Sequence, residues 1–220
     1  MTSQVTPTLV ADQVYEVLEN AILTGKLEAG SPLRVRDMAA MVGTSVMPVR
    51  EAIRRLEEAG LATRVPHRGA VVKTFTVAEL IHIYDVRTTL EVDATRKGTP
   101  HVSKSDIRQM MTSLRRMQKA VDEGRIIDAL DFDEELLRTL YRASGNPVLV
   151  NVIETLWLQC RPYKVIGATE ALDKHDNSLW TPQPTLVDAV KAGDVEAATQ
   201  ITAESLASAR RRLELRLEPD

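Results

Sequence analysis

The residues whose types and spacing bear first on chemistry are arginines. Arg50 and Arg54 stand one helical turn apart within VMPVREAIRRLEE, and Arg68-Gly69 follows in a basic stretch with Pro66 and His67. A guanidinium presents a planar fork of donors that matches a phosphate or the O6 and N7 edge of guanine, so arginines spaced along an exposed helix suit a nucleic-acid groove. Residues 34 to 73 hold eight Lys or Arg against four Asp or Glu, an excess of +4 in a chain whose net charge is −3. Phosphate neutralisation depends on that local excess more than on the overall balance. A second set lies further on. Arg87 shares a helical stripe with Ile83 and Leu90, and Arg161 and Tyr163 follow Trp157. A guanidinium among apolar neighbours needs a partner, which a carboxylate ligand supplies bidentately and which Glu91, one turn along, supplies internally.

Holding the first set in place requires a scaffold, and the neighbouring residues specify one. Val35, Met38, Ala39 and Val42 recur on one helical face, and Gly43 supplies a left-handed stop. Thr44 or Ser45 caps a second helix that starts near Val46 and tolerates Pro48 in its first turn. Val49, Ala52, Ile53 and Leu56 form its buried face, which turns Val46, Met47, Arg50, Glu51, Arg54 and Glu58 outward. Gly60 closes it. Leu61 to Val65 and Ala70 to Lys73 read as two short strands joined by Pro66-His67-Arg68-Gly69, a basic hairpin tip. Ahead of them Val10, Val14, Val17, Leu18, Ala21 and Ile22 predict another helix, ending near Gly25. That order of elements is a winged helix-turn-helix directed at double-stranded DNA. Its candidate contacts are Ser45, Val46, Met47, Arg50, Arg54, His67, Arg68 and Gly69.

Beyond the wing the pattern is helical. Thr76-Val77-Ala78-Glu79 is a capping box, so residues 1–75 are assigned to the DNA-binding domain and 76–220 to a second domain. Its helices are predicted to run to about Lys97, before Gly98-Thr99-Pro100; from a cap at Ser103 or Ser105 to about Asp122; and from about Ile126 to Ala143, ahead of Gly145. Asn146-Pro147 starts a helix that passes Trp157 and meets Pro162, a point for a kink. Residues 167 to 184 read as an irregular connection, Thr185 to Lys191 as a short helix, and Asp194 as the cap of a last helix to about Leu217. Arg210-Arg211-Arg212 read as a solvated helix end that complements the dipole. The predicted fold class is mainly α: a winged helix-turn-helix followed by an all-α helical bundle.

At these residues the chain resembles the GntR family of bacterial transcription regulators. The likeness lies in Pro48-Val49-Arg50-Glu51-Ala52, Arg55-Leu56, Gly60-Leu61, Pro66, Arg68-Gly69 and Val72, with Gly25, Leu27 and Gly30 ahead of them. The second domain resembles the all-helical effector domain of the FadR-like branch, through Tyr84-Asp85-Val86-Arg87 with Leu90-Glu91, Ala143-Ser144-Gly145-Asn146-Pro147, and Ala192-Gly193-Asp194. The resemblance implies that Arg50, Arg54 and the Arg68-Gly69 tip approach DNA, that Arg36 touches the backbone or a base edge, and that a homodimer binds a pseudo-palindromic operator. It also implies a small-molecule effector in the bundle. Members usually carry Arg-Thr where this chain has Val46-Met47; Val46 has no hydrogen bond to offer guanine, which leaves a thymine methyl as its contact. Many members of the branch hold a divalent metal through one aspartate and three histidines, and the metal helps to bind a carboxylate. The matching positions here are Asp133, Leu137, Gln183 and Ser205. Loss of three imidazoles argues against a metal or other cofactor, and Asp133 then joins Arg87, Arg161 and Tyr163 as candidate polar groups of a pocket for an anionic effector. The histidines present, His67, His82, His101 and His175, lack metal-ligand spacing.

Composition narrows the classes. The lone Cys160 excludes an internal disulfide and reads as a small buried hydrophobe, and no run approaches the ~20 apolar residues of a membrane span. The N-terminal segment lacks the basic start and apolar run of a signal peptide, so a soluble cytoplasmic protein without membrane attachment is expected. The leading expectation is a ligand-responsive repressor. A constitutive architectural DNA binder is the alternative, and an enzyme using Asp133, Glu134 and Glu135 a third class. Adjacent helical residues point in different directions, and no phosphate loop, nucleophile elbow or Cys-His pair accompanies them.

Overall fold

The computed structural model describes residues 7–174 and 176–216. The chain divides into two compact units, Met1–Thr74 and Phe75–Asp220. In the first, α1 (Pro7–Leu23), α2 (Val35–Val42) and α3 (Val46–Glu58) precede β1 (Ala62–Val65) and β2 (Gly69–Val72). Both α1 and α2 pack on α3, because Val14, Leu18, Ile22, Met38 and Ala39 are buried together with Val49, Ala52, Ile53 and Leu56. Each large aliphatic side chain so buried contributes ~1.5–3 kcal/mol. Gly43 ends α2 at φ 69°, with its N–H donating to Ala39 O. Ser45 takes the N-cap position of α3 without a side-chain hydrogen bond. The reason is local: Pro48 stands third in the helix and has no N–H to donate to the serine.

β1 and β2 are antiparallel, with Ala62 opposite Val72 and Val65 opposite Gly69. The sequence pattern did not disclose a third participant. Pro32 bridges Val71, Leu33 N–H donates to Ala70 O at 2.8 Å, and Val72 N–H donates to Ser31 O at 2.9 Å. A proline at a sheet edge supplies carbonyls without a donor, so the segment makes a short edge that no alternation in the sequence announces.

The second unit holds α4 (Val77–Gly98), α5 (Lys104–Asp122), α6 (Ile126–Arg142), α7 (Pro147–Asp173), α8 (Pro182–Ala192) and α9 (Val195–Glu214), with a 3-10 turn at Thr99–His101. Capping boxes Thr76/Glu79 and Ser103/Asp106 start α4 and α5. α4 packs on α6, α7 and α9, and α5 on α6 and α8, around Met110, Leu136, Leu140, Tyr141, Ile153 and Trp157. Gly98, predicted as part of a helix break, is the last residue of α4 and does a packing job: a Cβ there would lie 2.3 Å from Leu140 O. The irregular connection is shorter than the 167–184 that the sequence suggests: it holds Asp176-Asn177-Ser178, while residues 167–173 and 182–184 are helical. α7 continues through Pro162 to Asp173, because Ala168 and Leu172 pack into the cluster of Met117, Ala129, Leu130 and Trp180. Pro182 and Pro184 belong to the first turn of α8, where a proline forfeits no helical hydrogen bond.

Candidate DNA interface and ligand cavity

The outer face of α3 is the candidate groove-reading surface. Val46 and Met47 are 41 % and 69 % exposed at its start, and Arg50 and Arg54 follow, both exposed. The two arginines differ in what they touch. Arg54 Nε donates to Glu51 at 3.1 Å and its Nη1 to Glu58, so its charge is answered on the helix itself. Much of the local positive excess is committed in the same way. Arg55 pairs with Asp12 across to α1 at 2.5 Å and lies 4.5 Å from the Tyr15 ring, and Arg64 pairs with Glu57 at 3.0 Å. Arg36, Arg50 and Arg68 are exposed. None of these three makes an ion pair among the described residues. They sit on α2, on the outer face of α3 and at the hairpin tip, which are the three places from which this unit can meet phosphate and base edges.

The tip is built by backbone conformation. Val65 O accepts from Arg68 N–H at 3.1 Å, His67 adopts φ 63° and Gly69 φ 75°. A left-handed histidine is uncommon, and Gly69 gives the second left-handed position without a Cβ to obstruct it. The turn leaves Arg68 exposed, with no ion pair among the described residues. Arg68→Ala is therefore expected to weaken binding to all DNA sequences alike and to reduce the slope of log affinity against log salt by about one. Fluorescence anisotropy across a salt series reads this directly; an unchanged slope would remove Arg68 from the phosphate contacts.

The second unit encloses a cavity of about 600 Å³, well within the range of small-molecule sites. Its wall is largely apolar, with Leu80, Leu130, Leu186, Leu206 and Trp180, but a polar group crosses it: Arg87, Glu91, Asp133, Lys164 and Gln183. Arg87, from α4, is buried; its Nε donates to Glu91 at 2.6 Å and its guanidinium lies 4.6 Å from the Tyr84 ring. Glu91 also accepts from Tyr141 Oη and Trp157 Nε1, each at 3.0 Å. Burial, with the Glu91 carboxylate, holds the Tyr141 phenol well above its usual range. Of the two readings of Arg87 drawn from the sequence, the ion pair with Glu91 is present; Arg87 also lines the cavity, and its Nη1 has no hydrogen-bond partner among the described residues. Asp133 accepts from Gln183 Nε2 at 2.8 Å and lies 3.7 Å from Lys164 Nζ. Burial pushes its carboxyl above the usual carboxylate range, with Lys164 and Gln183 opposing. Burial would likewise raise Glu134, but Lys164 and Arg161 outweigh it and hold that carboxyl low.

Comparison with known proteins joins the two halves. The model of the gntR family of bacterial regulatory proteins matches residues 10–72, and the FCD domain model matches residues 82–208. The chain belongs to the GntR family. Its second unit is an FCD domain, and the protein is a DNA-binding transcription regulator. It is 26 % identical over 197 residues to the HTH-type transcriptional regulator McbR of Escherichia coli, covering 87 % of each chain. To the probable D-xylose utilization operon transcriptional repressor of Paenarthrobacter nicotinovorans it is 28 % identical, over 89 % of this chain and 84 % of that one. The solved structure of E. coli McbR/YncC has the same fold, with a TM-score of 0.81 at 23 % identity over 99 % of this chain and all of that one.

Within this FCD domain the positions that match the branch's metal ligands do converge: Asp133, Leu137, Gln183 and Ser205 all line the cavity. The donor set does not fit a metal. Leu137 offers no lone pair, the Gln183 and Ser205 oxygens are weak ligands where the branch has imidazoles, and the Lys164 ammonium stands beside the carboxylate that a metal would need. Among the described residues no group of three or more His, Cys, Asp or Glu is placed to hold one. His82 and His101 are exposed, and His175 lies outside the described residues.

Other site assignments need correction. Arg161 is not part of the cavity wall. It is 6 % exposed and turned to α6, where Ile127 O, Asp131 and Glu134 accept from it. Two acids one turn apart on α6 pair with its two Nη groups between helices. Tyr163 does line the cavity, but its hydroxyl accepts from Phe75 N–H at 2.7 Å and donates to Phe75 O at 3.2 Å. Cys160 is buried, and burial pushes its thiol up. Lys164 and Arg212 were missed from the sequence, although each carried a signal. Lys164 falls on the buried stripe Trp157, Cys160, Ala168 of α7, and Arg212 follows Ser205 and Ala209 on α9. Of the supposed solvated run, Arg210 pairs with Asp85 at 2.7 Å, Arg211 is exposed, and Arg212 lines the cavity, where burial draws its pKa down.

Proposed function

We propose that the protein is a dimeric repressor that releases its operator when a small anionic effector enters the FCD cavity. The observation that carries this reading is the cavity itself, an apolar space of about 600 Å³ crossed by fixed polar groups inside the domain that the family devotes to effectors. A dimer presents two α3 helices to the half-sites of a pseudo-palindromic operator, and the effector can shift DNA affinity only as far as it prefers one arrangement of the dimer over the other. The repressor sense follows the Paenarthrobacter relative, which is named a probable repressor. No described helix is long and apolar enough to cross a membrane, in keeping with action on cytoplasmic DNA. No catalytic step is assigned, since Asp133 and Glu134 are engaged by Gln183, Lys164 and Arg161. The protein needs no resident metal: Lys164 supplies the cationic charge beside Asp133.

The test is a thermal-shift screen of small organic acids on the full chain, followed by gel-shift titration with operator DNA. An acid that raises the melting temperature is expected to weaken operator binding by about tenfold or more, a typical coupling of 1–3 kcal/mol. An acid that occupies the cavity and leaves DNA affinity unchanged would favour the constitutive DNA binder. Elemental analysis should find no stoichiometric transition metal, and a chelator should leave the melting temperature unmoved.

A further inference from the structure

Each cation at the polar band of the cavity already faces a carboxylate. Arg87 Nε donates to Glu91 at 2.6 Å, and Lys164 Nζ lies 3.7 Å from Asp133 and 3.4 Å from Glu134. Glu91 and Asp133 line the cavity themselves. An anion brought to Arg87 or Lys164 therefore meets a buried carboxylate of its own sign, and like charges repel strongly where water is scarce.

Arg212 stands apart. It lines the same cavity from α9 and is half-buried, and its Nη1 donates to Ser208 Oγ at 2.9 Å. It makes no ion pair among the described residues. Asp176, an exposed residue of the same cavity wall, acts on it only from beyond ion-pair distance, so a carboxylate brought into the cavity can still give the half-buried guanidinium two parallel hydrogen bonds. Ser205, Ala209 and Arg212 share the cavity face of α9, which puts Arg212 about 10 Å along the helix axis from the level of Ser205, where the branch's metal would be held. Leu206, Leu213, Leu186 and Trp180 make much of the remaining wall apolar.

We propose that Arg212 anchors the anionic group of the effector, and that the effector is a monoanion with an apolar body whose acid pairs with Arg212 rather than with Arg87, Lys164 or a metal. This rests on the cavity being the effector site. The experiment is isothermal titration of the full chain with octanoate and 3-phenylpropanoate, beside their uncharged isosteres octanamide and 3-phenylpropanamide. At least one acid is expected to bind about tenfold or more tightly than its amide. Arg212→Gln should erase that preference by weakening the acid alone, Arg212→Lys should restore most of it, and the melting temperature without ligand should show that both variants fold. An acid-to-amide preference that survives in Arg212→Gln overturns the anchor while leaving the cavity an effector site. Equal binding of acids and amides to the unaltered protein overturns it too. Binding of neither class overturns the apolar-monoanion assignment, and a flat thermal-shift screen beside it removes the effector reading as well.

Discussion

Glu91→Ala is expected to destabilise the helical unit by about 3–5 kcal/mol, the cost of stranding a buried charge. Three donors converge on that one carboxylate: Arg87 Nε at 2.6 Å, Tyr141 Oη at 3.0 Å and Trp157 Nε1 at 3.0 Å. Arg87 and Glu91 are 4 % and 1 % exposed, so water is poorly placed to replace what the alanine removes. Arg87 Nη1 is already without a partner, and the substitution would leave the guanidinium with no carboxylate at all. Removing both ends of the pair should cost less, because no charge is left stranded, although Tyr141 Oη and Trp157 Nε1 still lose their acceptor. Arg87→Met combined with Glu91→Leu is thus expected to recover part of the loss. As an internal comparison, Glu154→Ala breaks the Arg138–Glu154 pair, whose side chains are about a third exposed, and should cost roughly 0–1 kcal/mol. Urea unfolding followed by circular dichroism measures all of these. A loss under about 1 kcal/mol for Glu91→Ala would mean that the cavity hydrates the pair.

Operator binding should depend on Arg50 far more than on Arg54. Arg50→Ala is expected to lower specific affinity by about 10- to 100-fold, the ~1–3 kcal/mol that a base-reading arginine contributes. Arg50 is exposed on the outer face of α3 and makes no ion pair among the described residues, and the buried face of Val49, Ala52, Ile53 and Leu56 lies elsewhere on the helix, so the fold should be indifferent to the change. Arg54 is held by Glu51 and Glu58, and must leave both acids before it can meet DNA. Arg54→Ala should consequently cost under tenfold, since DNA must compete with two acids for its guanidinium. Gel-shift titration on a selected operator decides between them. Equal losses would show that the Glu51–Arg54–Glu58 pairs open on DNA, and no loss for Arg50→Ala would take it out of the interface.

These contrasts mark where the sequence was legible. The spacing of apolar residues in α3 and the left-handed Gly43 and Gly69 announced the wing and its arginines, since both are consequences of local backbone geometry. The capping box at Thr76 announced α4 for the same reason. Residues 167–184 misled only at their ends: Asp176-Asn177-Ser178 is non-helical as its residue types indicate, but Ala168 and Leu172 find partners on α5 and α6 that keep α7 helical, and Pro182 and Pro184 open α8. Local propensity is weak beside tertiary burial. The lost imidazoles were equally plain in the sequence, and the structure adds that the four matching positions meet in one cavity.

What the sequence by itself determined, then, is what depends on periodicity and on neighbours along the chain: the order of helices, the place of the wing, and which face of α3 turns outward. Only the tertiary structure decided how charges pair between helices; the pairing of Arg54 with Glu51 and Glu58, three and four residues away on α3, is by contrast a local pattern. Arg161 and Lys164 are three residues apart on α7, yet Asp131 and Glu134 draw Arg161 to α6 while Lys164 lines the cavity beside Asp133. Electrostatic partners across helices are set by packing through space, over separations such as the 30 residues between Asp131 and Arg161, and no local pattern encodes them.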